Sequence, residues 1–265
     1  MTENQAFNPF RVIPCLQVDC GRVVKTTGYR NPSYVGDLIN SLRIFNEKEV
    51  DEIAVVDISA TRNGRGPDFD LINQMASECF MPLAYGGGIT TVDEIERIIQ
   101  LGVEKVILNS SALENVDLVR AAANAVGSQS IVVSVDVKRG WFGGYHVYTR
   151  SGTKRVSKDL FGTVQAVTDA GAGELLLNCI AKDGTFSGYD HALIQAVSSR
   201  TTLPVIASGG AADPADLVRA VRESGASAVA AGALFIYRGP HRAVLLSYPS
   251  AKQIHAHINT NVKND

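Results

Sequence analysis

Cysteine is scarce in this sequence, with four residues among 265: Cys15, Cys20, Cys79 and Cys179. They are scattered, form no C-x-x-C pair and have no histidine at metal-ligand spacing. A chain of this length does not need a disulfide framework, so the pattern predicts reduced thiols in a cytoplasmic protein. The five histidines (His146, His191, His241, His255 and His257) make no H-E-x-x-H motif, and neither a metal nor another cofactor is expected. An excess of one charge is also missing. With 25 basic against 27 acidic side chains the net charge is −2. That gives no electrostatic case for nucleic acid or an anionic membrane and leaves room for small anions held by local structure. No apolar run approaches the ~20 residues of a membrane helix, so no membrane insertion is expected. Residues 1–11 show neither the basic start nor the apolar centre of a secretory leader.

What remains is an ordinary globular composition, 45% hydrophobic and 20% charged with 24 glycines and 9 prolines, which excludes disorder, collagen-like repeats and coiled coil. A chain of this size buries roughly 70–75% of the surface its unfolded form exposes. Short apolar, β-branched runs recur at residues 12–18, 53–58, 83–85, 106–108, 131–135, 175–177, 205–207 and 228–231. They read as fully buried strands because alternation with polar residues is mostly absent. Helical spacing lies between them: Ile95, Ile98 and Ile99 mark one face, Val164, Val167 and Ala170 another, and Leu217, Ala220 and Val221 a third. Thr91-Val-Asp-Glu and Asp213-Pro-Ala-Asp look like helix starts, with Pro214 suited to a first helical position.

Eight strands alternating with helices leave a closed (β/α)₈ barrel or an open doubly wound sheet. An internal repeat decides between them. Glu52, Asp68, Ile72, Pro82, Gly87 and Gly88 stand 122 residues before Glu174, Asp190, Ile194, Pro204, Gly209 and Gly210. An open sheet also calls for G-x-G-x-x-G after its first strand, and Asp19-Cys-Gly-Arg-Val-Val is not one. The prediction is therefore one α/β domain over residues 1–265, a (β/α)₈ TIM barrel. Its half-barrels cover about 11–126 and 127–258, and a polar tail follows about 258. The longest irregular stretches are residues 19–36 and 139–156. The second contains Tyr145-His-Val-Tyr-Thr, which predicts a small hairpin over one barrel face.

Barrels carry function at the C-terminal ends of their strands. Four small-residue strand ends stand out: Gly86-Gly87-Gly88-Ile, Asn109-Ser110-Ser, Ser208-Gly209-Gly210-Ala and Ala231-Gly232-Ala. By the repeat they pair as strands 3 and 4 against strands 7 and 8. Glycine lets the backbone approach an anion, and amides at a following helix start donate to phosphate oxygens. Two matched pairs predict two phosphate sites across one mouth; the competing reading is tight turns alone. Between them lie Gln17, Asp57, Asp136 and Asp183, with Lys25 in the first loop. Opposed carboxylates shuttle protons to and from enolisable sugar phosphates. The repeat maps Gln17 onto Asp136, so one expected carboxylate is an amide, which neither gives nor takes a proton near neutral pH. At the opposite end of the strands fall Arg11, Glu52, Lys105 and Glu174. Taken by themselves they read as a solvated barrel bottom, although their signs suit a salt-bridged ring.

Residues 11–236 resemble the cyclase subunit of imidazole glycerol phosphate synthase. The resemblance runs through Arg11-Val-Ile-Pro-Cys-Leu, Gly21-Arg-Val-Val-Lys, Gly86-Gly-Gly-Ile, Val135-Asp-Val-Lys-Arg, Asp183-Gly-Thr-Phe-Ser-Gly-Tyr-Asp and Ile206-Ala-Ser-Gly-Gly-Ala. It implies a heterodimer in which a glutaminase docks on the barrel bottom, and ammonia crosses the barrel to a bisphosphorylated substrate at the top. It also implies that Arg11, Glu52, Lys105 and Glu174 are the ammonia gate, which replaces the solvated reading. Glu104 then matches an acidic interface position, and Gly184 joins the phosphate set. The family's two acid/base aspartates match Gln17 and Asp136, so one is missing. Asp-Arg-Asp-Gly-Thr becomes Ala181-Lys-Asp-Gly-Thr here, and Arg238, His241 and Arg242 stand in a normally more acidic final segment. These departures, with Asn31-Pro-Ser-Tyr-Val-Gly-Asp and Glu78-Cys-Phe-Met-Pro-Leu-Ala-Tyr, are similar to a paralogous branch linked to acetamidino modification of surface sugars such as lipopolysaccharide O-antigen. In that branch the barrel and its glutaminase supply ammonia to a separate amide-transferring enzyme. The sequence thus predicts a non-cyclising ammonia conduit. The alternatives are a working cyclase, in which Asp136 survives as acid/base and Gln17 positions, and a sugar-phosphate isomerase of the sister family.

Overall fold

The computed structural model describes residues 9–140 and 143–261. Eight parallel strands form its centre: β1 Arg11–Asp19, β2 Ile53–Asp57, β3 Leu83–Gly86, β4 Lys105–Leu108, β5 Ile131–Arg139, β6 Glu174–Cys179, β7 Val205–Ser208 and β8 Ala228–Ala231. Each pairs in parallel with the next, and β8 pairs back onto β1 through Arg11↔Ala228 and Pro14↔Ala231, which closes the sheet. The helices outside are α1 Leu38–Glu47, α2 Phe69–Glu78, α3 Val92–Gln100, α4 Asp117–Val126, α5 Leu160–Asp169, α6 His191–Ser198, α7 Pro214–Arg222 and α8 Ala251–Asn261. This is the (β/α)₈ barrel expected from the sequence. One apolar cluster packs between sheet and helices. A second fills the bore with Ile13, Ala54, Ala84, Ile107, Val132, Leu176, Ile206, Ala228 and Ala230. A closed parallel sheet buries both faces, which is why its strands lack alternation.

The repeat has a physical explanation at each position. Asp68 and Asp190 cap α2 and α6 by accepting from the backbone N–H of Leu71 and Leu193. Ile72 and Ile194 are the buried residues one turn on. The carbonyls of Pro82 and Pro204 accept from Ile53 and Leu175, starting β2 and β6 in the same way. Thr91 forms a full capping box with Glu94, and Asp213 caps α7 with Pro214 in its first turn.

Three features depart from the sequence reading. Residues 19–36 are not irregular: Arg22–Thr27 runs antiparallel to the end of β1, and Arg30–Asp37 pairs onto it. Their hairpin turns at Gly28 and Tyr29, whose φ angles are 57° and 65°. That primed-turn geometry usually advertises itself as Asn-Gly, so Gly-Tyr conceals it. Tyr145–Thr149 does form a hairpin, but with the end of β5 itself, by Asp136↔Tyr148 and Lys138↔His146. Residues 141–142 of that stretch lie outside the described residues. Finally, α8 continues to Asn261, past the point where the polar tail was placed; the rest of that tail, 262–265, lies outside the described residues.

Candidate functional site

Strand direction sets the chemistry of the two ends. At the N-terminal end, inward-facing Arg11, Glu52, Lys105 and Glu174 form a closed ring of ion pairs. Arg11 reaches Glu52 and Glu174 at 2.5 Å each, and Lys105 reaches them at 2.9 and 3.2 Å. Burial opposes the Arg11 charge, but hydrogen bonds and negative charge from Glu174 and Glu52 outweigh it and raise the guanidinium pKa above its ordinary value. The four groups pair with one another rather than standing separately in solvent, although Arg11 keeps part of its surface exposed. Glu104 lies on the same face, exposed, with its carboxylate accepting from the Leu83 N–H.

Above the ring and the apolar bore opens a cavity of about 290 Å³ at the C-terminal end, whose floor includes Cys15, Val56, Ile107 and Leu176. Lys25, on the first hairpin, pairs with Asp183 at 2.8 Å, and both groups are largely buried. Gln17 is locked between them and the hairpin. Its Oε1 accepts from the Thr26 N–H and hydroxyl at 2.9 Å each, and its Nε2 donates to Asp183 at 3.4 Å. Asp136 accepts from the Ser134 hydroxyl at 3.0 Å. Burial pushes its carboxyl up to about 6, although hydrogen bonds from Tyr29 and Ser134 pull the other way. A buried carboxyl titrating there suits proton transfer near neutral pH.

Asp57 stands apart from this group. It lines the cavity, but its Oδ1 accepts from Ser59 N, Ser59 Oγ and Ala60 N, tying down the turn after β2, and Arg65 lies 3.6 Å from its other oxygen. Two residues of the site were not anticipated, Tyr29 and Asn178, whose hydroxyl and amide hydrogen-bond each other. Asn178 directly follows the apolar run 175–177, a partial signal for a polar residue near the end of β6. Tyr29 lay in a hairpin that the residue pattern did not reveal.

The candidate phosphate residues separate into two places. Gly87, Gly88, Asn109, Ser110 and Ser208 line the main cavity. Gly184, Gly209, Gly210 and Ala231 line a second hollow of about 10 Å³, and Gly232 borders both. Packing alone explains the sharpest glycines: a Cβ on Gly88 would lie 2.6 Å from the Arg65 carbonyl, and one on Gly210 would lie 2.4 Å from that of Gly188. The Asn109 amide donates to the Ser134 carbonyl, and the Ser110 hydroxyl accepts from Arg150 N–H. Burial raises the thiols of Cys15 and Cys79, to about 12 and 11, so neither is a thiolate near neutral pH. Among the described residues no cluster of three metal-ligating side chains occurs, and no helix is long and apolar enough to cross a membrane.

Comparison with known proteins agrees with this architecture. The model of the histidine biosynthesis protein family matches residues 11–241. A Pseudomonas aeruginosa protein provisionally named imidazole glycerol phosphate synthase subunit hisF2 is 47% identical over 244 residues, covering 92% of this chain and 97% of that one. A Vibrio vulnificus protein provisionally named subunit hisF3 is 43% identical, covering 92% and 94%. The imidazole glycerol phosphate synthase subunit HisF of Streptococcus sanguinis is 39% identical, covering 86% and 90%. The chain therefore belongs to the histidine biosynthesis protein family, among the HisF-type cyclase subunits of imidazole glycerol phosphate synthase.

Proposed function

We propose that this barrel receives ammonia from a glutaminase subunit docked on its N-terminal face and passes it through the bore without cyclising a substrate of its own. The observation that carries this reading is the pairing of an intact ring at the entrance with a locked amide at position 17. Arg11, Glu52, Lys105 and Glu174 keep the composition of a gate, whereas Gln17 is committed to Thr26 and Asp183. Above the gate the bore is apolar, with Ala54, Ala84, Ala228 and Ala230 among its walls. Such a lining takes neutral NH₃ and rejects NH₄⁺, whose charge would be stripped of water without a partner. Passage requires the ring to open, which breaks at least one ion pair on each side of the opening cation.

In this reading the roles follow the positions. Lys25 and Asp183 hold the mouth, Asp57 ties down the turn after β2, and Asp136 has no partner carboxylate at position 17. Gly87, Gly88, Asn109 and Ser110 on one side, and Gly184, Ser208, Gly209, Gly210, Ala231 and Gly232 on the other, receive a phosphate or a bisphosphorylated ligand that signals occupancy. By its resemblance to the acetamidino branch, the ammonia goes to a separate amide-transferring enzyme acting on a surface-polysaccharide sugar. The subunit works in the cytoplasm, without cofactor or metal.

A working cyclase is the second reading, and the Asp136 carboxyl near 6 favours it. It would join ammonia to phosphoribulosylformimino-AICAR phosphate, giving imidazole glycerol phosphate and the aminoimidazole carboxamide ribotide. An assay with that substrate and excess ammonium separates the two. The conduit predicts turnover lower by a factor on the order of 10²–10⁴, the usual contribution of one positioned proton-transfer group. Turnover equal to that of ordinary cyclases would rule the conduit out. Lys105→Ala and Glu174→Ala are expected to disturb glutamine-dependent ammonia transfer in a barrel that stays folded; unchanged transfer in both would remove the gate assignment.

A further inference from the structure

The chain after β8 makes contacts that neither ammonia passage nor the twin anion turns account for. It forms the short helix Ala233–Ile236 and then a hairpin in which Tyr237 pairs with Val244 and Arg238 with Ala243. Beyond the hairpin it doubles back, the Leu245 N–H donating to the Ile236 carbonyl and the Ser247 N–H to that of Phe235. Tyr248 follows, with its ring 5.7 Å from that of Phe235 and tilted by 51°. Its own segment thus fixes where the ring stands.

The Tyr248 hydroxyl ends beside the entrance ring. β1 begins before β2, since their first register pair is Cys15↔Ala54. Below that pair, side chains meet the backbone of Val12 where a strand neighbour would stand. The Val12 N–H donates to Asp51 Oδ2 at 2.9 Å. The Tyr248 hydroxyl, with one proton to share, lies 2.9 Å from the Val12 carbonyl and 2.9 Å from Asp51 Oδ2. The Asp51 N–H donates to the same phenolic oxygen at 3.4 Å. Val12 and Asp51 are the chain neighbours of Arg11 and Glu52, which form one ion pair of the ring. Side chains alternate along a strand, so the backbone that turns Val12 into the outer core turns Arg11 into the bore.

The other half-barrel shows what this arrangement replaces. Gly173 precedes Glu174 as Asp51 precedes Glu52, and its N–H donates directly to the carbonyl of Ile131, the first residue of β5, at 2.9 Å. A Cβ on Gly173 would lie 2.0 Å from the Ser128 carbonyl, so that close approach requires glycine. With aspartate at position 51, the link is made by side chains, and one of them comes from the far end of the chain.

We propose that Tyr248 is a positioning residue for the entrance ring, holding together the two backbone stretches that carry Arg11 and Glu52. Its part in ammonia passage rests on the conduit reading: a ring held closed on this side keeps ammonia from escaping before it enters the bore.

The test compares the full-length wild type with Tyr248→Phe, which keeps the ring and removes only the hydroxyl. Hydrogen exchange is followed by nitrogen NMR at the Arg11 guanidinium, assigned with Arg11→Lys, and at the Val12 N–H. The Gly188 N–H, bonded to the Gly210 carbonyl, serves as a distant reference. The expected result is exchange about fivefold faster at Arg11 and Val12, the scale of one lost hydrogen bond, with Gly188 unchanged. Asp51→Asn weakens the acceptor common to Val12 and Tyr248 and should act in the same direction. Unchanged exchange at Arg11 and Val12 in Tyr248→Phe, or equal acceleration at Gly188, overturns the brace. In the complex with the glutaminase subunit, ammonia escaping to solution per glutamate formed should rise in Tyr248→Phe. Faster exchange with unchanged escape in both Tyr248→Phe and Glu174→Ala overturns the conduit reading instead, because exchange reports on the ring whether or not ammonia crosses it.

Discussion

Replacing Asp136 by asparagine gives a stability effect whose pH dependence follows from the structure. The wild-type carboxyl is buried at the top of β5, and folding raises its pKa from 3.8 to about 6. Between those values the folded state binds more protons than the unfolded state, so stability falls as pH rises. The favourable contribution is complete below pH about 4 and lost by the time pH has passed 6. The difference of about 2.2 pH units, at about 1.36 kcal/mol each, amounts to about 3 kcal/mol. Asparagine does not titrate, so the variant escapes this loss. Its altered hydrogen bonds to Ser134 and Tyr29 add a cost that is the same at every pH. Urea unfolding of both proteins at pH 4, 5, 6, 7 and 8 is the assay. The free-energy difference should move in favour of Asp136→Asn by roughly 2–3 kcal/mol across that range, most steeply between pH 4 and 6. A difference that stays flat would mean that the carboxyl titrates at its ordinary value. A difference moving toward the wild type would mean that a cation holds it charged. Either result refutes the argument that burial dominates at this site.

Two further outcomes concern the frame of the site. Lys25→Met strands the buried Asp183 carboxylate, leaving only the 3.4 Å contacts from Gln17 and Thr26. It should cost about 3–5 kcal/mol in urea unfolding, with much of the loss recovered by adding Asp183→Asn; no recovery would show that the pair is not coupled. Gly210→Ala places a Cβ 2.4 Å from the Gly188 carbonyl at a φ of 113°, and a loss of roughly 1–3 kcal/mol is expected. Gly36→Ala, with open space around the added carbon, should stay within about 0.5 kcal/mol in the same measurement.

Much of the barrel could be read before any coordinates. Uninterrupted apolar strands, capping residues such as Thr91 and Asp213, and the 122-residue repeat are local or periodic signals, and each reports one physical need. Asp68 and Asp190 must cap a helix, and Pro82 and Pro204 must offer a carbonyl to the preceding strand. The first hairpin was less legible. Its register shifts, and its Gly-Tyr turn carries no strong signal, so Tyr29 stayed hidden inside an apparent loop. Asp57 was legible as a strand-end carboxylate, but its commitment to the Ser59 turn was not. Which atoms fill an acceptor depends on neighbours distant in the chain.

Composition, periodicity and repeat thus determined the fold class, the two ends of the barrel and the loss of a carboxylate at position 17. Whether Arg11, Glu52, Lys105 and Glu174 would face solvent or one another was decided only when closure of the sheet brought β1, β2, β4 and β6 around a common axis. The same holds at the mouth, where Tyr29 meets Asn178 across 149 residues of chain. Strand patterns arise from each residue's own exposure, whereas ion pairs and buried hydrogen bonds arise from the geometry that closure imposes on many residues together.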